Sequence, residues 1–242
     1  MRMEADNTYQ AGHTGKSRRL RILKYWSIQV TEIVACSIGL AAAMMVLQMF
    51  TSNGNMMMEG VTWVFLSPIY LLIMGAFTVM IFGITIFQSY FPVLVSMNVT
   101  RKGAAGGIVL VQGVSSLVVL LLAAVIWSFA AKLSGEDIGG MMALSAGLFF
   151  MVAAVGILFG TVVIRWGKIG IFLMILIFMV VGAVVGVSVA MFGNDRFLYM
   201  QKFLLEDAAG NNFLPVLLAG ALVYAASGVF AVFATRKAEV RV

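Results

Sequence analysis

Few residues in this chain have the types and spacing that chemistry requires. Gln10 to Ser17, QAGHTGKS, matches a phosphate-binding loop except that Gln10 stands where the first glycine belongs. A working P-loop needs a buried strand before it, a helix after it and a partner acid, whereas here an apolar span begins about ten residues later. Glu32 lies near the start of that span, and it is one carboxylate where intramembrane acid–base or metal chemistry would need two or more. There it reads as a snorkelling or headgroup-paired side chain. Cys36 is the single cysteine and sits inside the same span, which excludes an intrachain disulfide and a zinc cluster. Met44-Met45 and Met56-Met57-Met58 carry thioethers that suit soft metals, but adjacent residues do not converge on one ion, so adaptable packing is the better reading. No HExxH occurs. The expectation is a chain without catalytic residues, metal site or cofactor of its own.

The elements that carry these residues are hydrophobic. Of 242 residues, 62% are hydrophobic and 11% charged, far from soluble averages, and the reading is an all-α, polytopic membrane protein. The net charge of +6 does not indicate nucleic-acid binding, because the basic residues are scattered between apolar spans with no basic groove. Residues 1–15 are polar, patternless and contain the sole histidine, His13; they read as a disordered cytoplasmic tail. Residues 16–27, KSRRLRILKYWS, place Leu20, Leu23 and Trp26 along one side and Arg18, Arg19, Arg21 and Lys24 on a cationic face. That pattern predicts an interfacial amphipathic helix.

A six-helix transmembrane domain is expected over 28–234, with spans at about 28–50, 61–88, 108–131, 141–164, 169–193 and 213–234. The first apolar run is too long for a signal h-region and should remain as an anchor. Only Arg165 to Lys168 separates the fourth and fifth spans, which predicts a tight antiparallel pair. Residues 235–242 form a second basic tail. Six spans put both termini on one side. Of the sixteen lysines and arginines only Lys132, Arg196 and Lys202 fall on the other, so the positive-inside rule makes the termini cytoplasmic. The Asn98-Val99-Thr100 sequon then faces the wrong compartment for glycosylation.

The arrangement centres on Tyr90 to Gly107, YFPVLVSMNVTRKGAAGG. Pro92 fits poorly inside a straight helix and Gly103, Gly106 and Gly107 should loosen the next one, so a bend into a short cytoplasmic surface segment is expected. Two helix faces have further potential. Ser67, Thr78 and Thr85 align within about 20° at 100° per residue, with Gln88 nearby, and could wet a translocation path; alternatively their hydroxyls bond their own helix. Gly182, Gly186 and Gly193 align within about 40° and suit a close helix contact, either within the chain or at a dimer seam. Without ionisable groups at mid-membrane, proton- or sodium-driven transport is disfavoured, and any driving energy must come from outside the bilayer.

On these residues the chain resembles the ABC-2 type transporter permeases, the membrane subunits of bacterial ABC exporters, and in particular small peptide exporters of the phenol-soluble-modulin kind. The resemblance rests on the six-span layout, the basic stretch Lys16 to Ser27, FPVLVSMNVTRK from Phe91 to Lys102, and the long segment between the last two spans. It implies a homo- or heterodimer of permeases in the bacterial cell membrane, bound to two copies of a separate ATPase that holds ATP and Mg²⁺. Phe91, Pro92, Asn98, Thr100, Arg101 and Lys102 would form the first ATPase-coupling segment, and Arg165 and Lys168 a lesser contact. The cargo implied is a hydrophobic or amphipathic peptide. The rival readings are a non-transporting immunity or sensor protein and an ion-coupled carrier.

Overall fold

The computed structural model describes residues 2–51, 60–96, 99–134, 139–180, 183 and 214–237, and the described residues are helical apart from short connections. The helices are α1 (Arg2–Thr51), α2 (Gly60–Ser96), α3 (Arg101–Ser134), α4 (Gly139–Trp166), α5 (Lys168–Val180) and α6 (Leu214–Ala234), the last followed by a 3-10 turn at Thr235–Lys237. Five of them are long and apolar enough to cross a membrane: Ile22–Gln48, Ser67–Ser96, Arg101–Phe129, Met142–Trp166 and Leu214–Ala234. This is a multi-pass membrane architecture. In hydrocarbon, backbone groups must be paired within the segment, so helices of this length are the physical solution. The described part of α5 covers 13 residues, and the rest of the expected fifth span lies outside the described residues.

Two expected boundaries are corrected. The tail, the interfacial helix and the first span are one continuous helix from Arg2 to Thr51. No proline occurs before Pro68, so nothing in that stretch forces a break. Gln10 to Ser17 is helical as well, not a phosphate-cradling loop.

The central bend is also far shorter than Tyr90 to Gly107. Helix α2 runs through both Pro68 and Pro92 to Ser96, and α3 begins at Arg101. Neighbouring helices allow proline inside a membrane helix by holding the chain around the lost hydrogen bond. Here Phe91 is 1% exposed and Leu94 2%, so the turn that contains Pro92 is gripped by its surroundings. Of the glycines expected to loosen α3, Gly107 instead receives a neighbouring helix, whereas a Cβ at Gly106 would meet nothing within 4 Å. A Cβ on Gly107 would strike the indole of Trp26, which lies over this gap in the side chains of α3. Trp26 therefore packs inward from α1, while Leu23 is 61% exposed.

Small residues set the other crossings too. On α4, a Cβ at Gly156 would come within 2.7 Å of the Met80 carbonyl oxygen, and one at Gly160 within 2.8 Å of the Gly83 oxygen. Helices α2 and α4 are thus in backbone contact and run parallel. At the α4–α6 crossing a Cβ on Gly147 would lie 2.6 Å from the Val216 oxygen, with Gly220 in turn against Gly147. Lipid tails are as apolar as leucine, so helices gain little from burying apolar surface against each other and depend on such close packing. Gly156→Ala should destabilise the fold by about 1–3 kcal/mol, since the added methyl meets backbone that cannot rotate aside. Gly39→Ala, with no atom within 4 Å of the new carbon, should stay within about 0.5 kcal/mol of the parent. Reversible unfolding in mixed detergent micelles measures both.

Candidate functional site

One end of the bundle gathers most of the residues singled out in the sequence. The Val99 amide donates to the Leu94 oxygen at 3.1 Å, closing the end of α2. Thr100 then caps α3. Its hydroxyl accepts from the Gly103 amide at 3.2 Å and its carbonyl from the Ala104 amide at 2.8 Å, satisfying donors that a helix start leaves free. Thr100, Arg101 and Lys102 are exposed, whereas Ala104 and Ala105 directly beyond them are fully buried. A polar cap thus sits on two helices that are locked into the core within one turn. Phe91 belongs to that core and Pro92 is half-buried, while Asn98 lies outside the described residues.

Other helix ends meet at the same level. Tyr25 of α1 packs edge-on against Tyr90 of α2, with ring centroids 5.5 Å apart. The Arg101 guanidinium reaches the carbonyl oxygen of Arg236, just past α6, at 3.5 Å. Because α4 runs parallel to α2, the Arg165–Lys168 turn is at this end as well. Gly167 has φ 57°, and its amide donates to the Val163 oxygen at 2.7 Å. A left-handed residue of this kind reverses the chain at little steric cost. Arg165, Trp166 and Lys168 are exposed around it, and Phe159 and Phe178 meet at 5.2 Å where α5 folds back along α4.

The hydroxyl face of α2 does not present a single environment. Thr78 is buried and donates to the Met74 oxygen at 2.7 Å; Thr85 is exposed and donates to the Ile81 oxygen at 2.9 Å. Ser67 is half-buried and Gln88 exposed. Back-bonding of this type satisfies a hydroxyl without a path. Buried Ser37, Ser115, Ser116, Thr161 and Ser227 do the same, each to a carbonyl three or four residues earlier. Gly182, Gly186 and Gly193 lie outside the described residues.

A polar residue that bonds two neighbouring helices was not singled out in the sequence. Gln112 of α3 is wholly buried, and its amide nitrogen donates to the Val79 oxygen of α2 at 3.1 Å and the Ala153 oxygen of α4 at 3.0 Å. Its Oε1 has no hydrogen-bond partner and lies against Gly83, whose missing side chain makes the room. One amide therefore joins three helices. Tyr224 makes a second crossing, donating from α6 to the Val109 oxygen at 2.7 Å. The available signal was a lone glutamine in a span whose other embedded polar residues are serines. Gln29 is also buried; it donates to the exposed Glu32 at 3.3 Å, and its own oxygen is unpaired beside a cavity of about 10 Å³, room for about one water.

Compared with protein-family models, curated proteins and solved structures, the chain has no match.

Replacing Gln112 separates its donor role from its volume. Gln112→Leu should cost only about 0.6–1.7 kcal/mol, because both carbonyls keep their own helical donors and the unpaired oxygen disappears. Gln112→Glu cannot supply two protons and places an ionisable group in the core, so it should cost more than Gln112→Leu and reduce the folded yield. The same detergent unfolding assay ranks the two.

Proposed function

We propose that this chain is the membrane subunit of an ATP-driven exporter of the ABC-2 permease type, moving a hydrophobic or amphipathic peptide across a bacterial cell membrane. The observation that carries the reading is the exposed cap Thr100-Arg101-Lys102 seated directly on buried Phe91, Leu94, Ala104 and Ala105. A force applied to Thr100, Arg101 and Lys102 enters α3 directly, whose Ala104 and Ala105 are fully buried, and the Val99–Leu94 hydrogen bond ties the cap to α2. Gln112 extends the linkage to α4. ATP and Mg²⁺ belong on a separate ATPase, present in two copies beneath two permease chains.

In this reading Asn98, Thr100, Arg101 and Lys102 touch the ATPase, with Arg165 and Lys168 as a second, smaller contact. Phe91 and Pro92 act from beneath by stiffening the cap. Ser67, Thr78, Thr85 and Gln88 are assigned to the path, with any change of environment at buried Thr78 requiring helix movement. The seam between permease copies is assigned to Gly182, Gly186 and Gly193.

Co-purification with an ABC ATPase subunit from the same cell tests the proposal. The parent should retain the ATPase, and Arg101→Glu/Lys102→Glu should lose it while still eluting as a folded membrane protein. Retention by the charge-reversed chain, or no ATPase bound to the parent, would sink the coupling assignment and favour an immunity or sensor protein. Sidedness is checked independently in a Cys36→Ser background. A membrane-impermeant maleimide added to intact cells should label Lys132→Cys and leave Thr100→Cys unlabelled until the membrane is opened.

A further inference from the structure

An apolar groove of about 420 Å³ runs between α3 and α6, lined by Gly106, Val109, Leu110, Gly228, Val229 and Phe233. Its size falls in the range of about 300–1,000 Å³ typical of small-molecule sites. The missing side chains of Gly106 and Gly228 deepen it, while Leu110, Val229 and Phe233 are 64%, 57% and 57% exposed along its walls. An apolar groove facing lipid would by itself say nothing about its occupant. The chemistry at one end does.

The Arg236 guanidinium carbon stands 4.4 Å from the centroid of the Phe233 ring, so a cation is held over a wall residue of the groove. Arg101 reaches the same residue from α3, its Nη1 donating to the Arg236 backbone carbonyl oxygen at 3.5 Å, although the two residues are 135 positions apart. Both arginines are exposed at this end of the groove, and each guanidinium has several N–H donors left for an anion. The charge is thus placed where the groove meets the bilayer surface, because Arg101 begins one apolar span and Arg236 follows the end of another.

We propose that this groove seats one acyl chain of an anionic phospholipid whose phosphate is held by Arg101 and Arg236. A second copy of the chain fits less well. In a symmetric contact the same patch meets itself, which would bring four like charges to one level. A basic site between membrane helices matches the general pattern of anionic headgroup recognition. The site depends on α3 and α6 reaching a bilayer surface; it shares Arg101 with the cap, and lipid binding by the chain alone reads it out with no ATPase present.

The test is native mass spectrometry of the purified full chain titrated with phosphatidylglycerol or with phosphatidylcholine of the same acyl chains. The parent should bind one phosphatidylglycerol in preference to phosphatidylcholine. Arg101→Gln/Arg236→Gln should weaken that binding by at least about tenfold, in line with the loss of two surface charges, and Arg101→Lys/Arg236→Lys should keep most of the preference. Val229→Trp, which fills the groove at an exposed wall without touching either arginine, should reduce phosphatidylglycerol binding severalfold. Inorganic phosphate in excess should not displace the lipid. Equal binding of the two lipids, or a charge-neutral variant that binds like the parent, overturns the proposal. Displacement by phosphate alone, or unchanged binding in Val229→Trp, would make this an anion site without a chain seat and overturns it too. If Val229→Trp instead shifts a dimer mass to monomer, the groove is an interface between copies, and the lipid assignment fails.

Discussion

The amide of Gln112 holds three helices at one point, and the bundle around it depends on that crossing. Its two protons span α2 and α4 from α3, at 3.1 and 3.0 Å, and a glycine on each neighbour clears the space. Gly83 admits the amide from one side and Gly156 from the other. Bulkier residues at Gly83 or Gly156 would hold the backbones apart and shut the amide out, and an apolar residue at 112 would leave the close contact without its polar tie. In a bilayer, where burial against lipid and burial against protein are nearly equivalent, such paired features decide which helix lies beside which.

The same constraint explains the shape of the polar end. Helix α2 stays helical through Pro92 because Phe91 and Leu94 are held by their neighbours, and α3 restarts at once because Thr100 supplies its cap. The result is that only four positions separate the end of α2 from the basic start of α3. Around it stand the Arg165–Lys168 turn and Arg236, so the cations are concentrated at the rim while the adjacent interior is occupied by alanine, glycine and aromatic rings. A turn of this build suits the transfer of a mechanical push. The neighbouring groove between α3 and α6 uses the same rim for a different purpose, since Arg101 reaches sideways to α6.

Part of the candidate site was legible in the sequence and part was not. Thr100, Arg101 and Lys102 stood out because a basic pair next to a turn residue is rare in so apolar a chain. Pro92 misled, because the rule that proline ends a helix is drawn from helices in water, and α2 has neighbours that hold it together. Gly107 misled for a related reason. A glycine in isolation signals flexibility, but here it receives the indole of Trp26 from α1. Ser67, Thr78 and Thr85 share an angular position on one helix, yet Thr78 is buried and Thr85 exposed, because the face they share passes from protein to surroundings along its length.

The sequence by itself determined that the chain is helical and multi-pass, since long apolar runs in lipid have no other way to pair their backbone groups. It also determined where the basic residues fall along the chain. Only the tertiary structure decided that Gln112 joins α2, α3 and α4, that Trp26 lies on Gly107, and that Arg101 meets Arg236. Periodicity assigns a residue to a face of its own helix, but apolar helices in an apolar medium have many faces of nearly equal energy. Which faces meet is settled by a few small residues and polar groups far apart in the chain, and that information does not reside in any one segment.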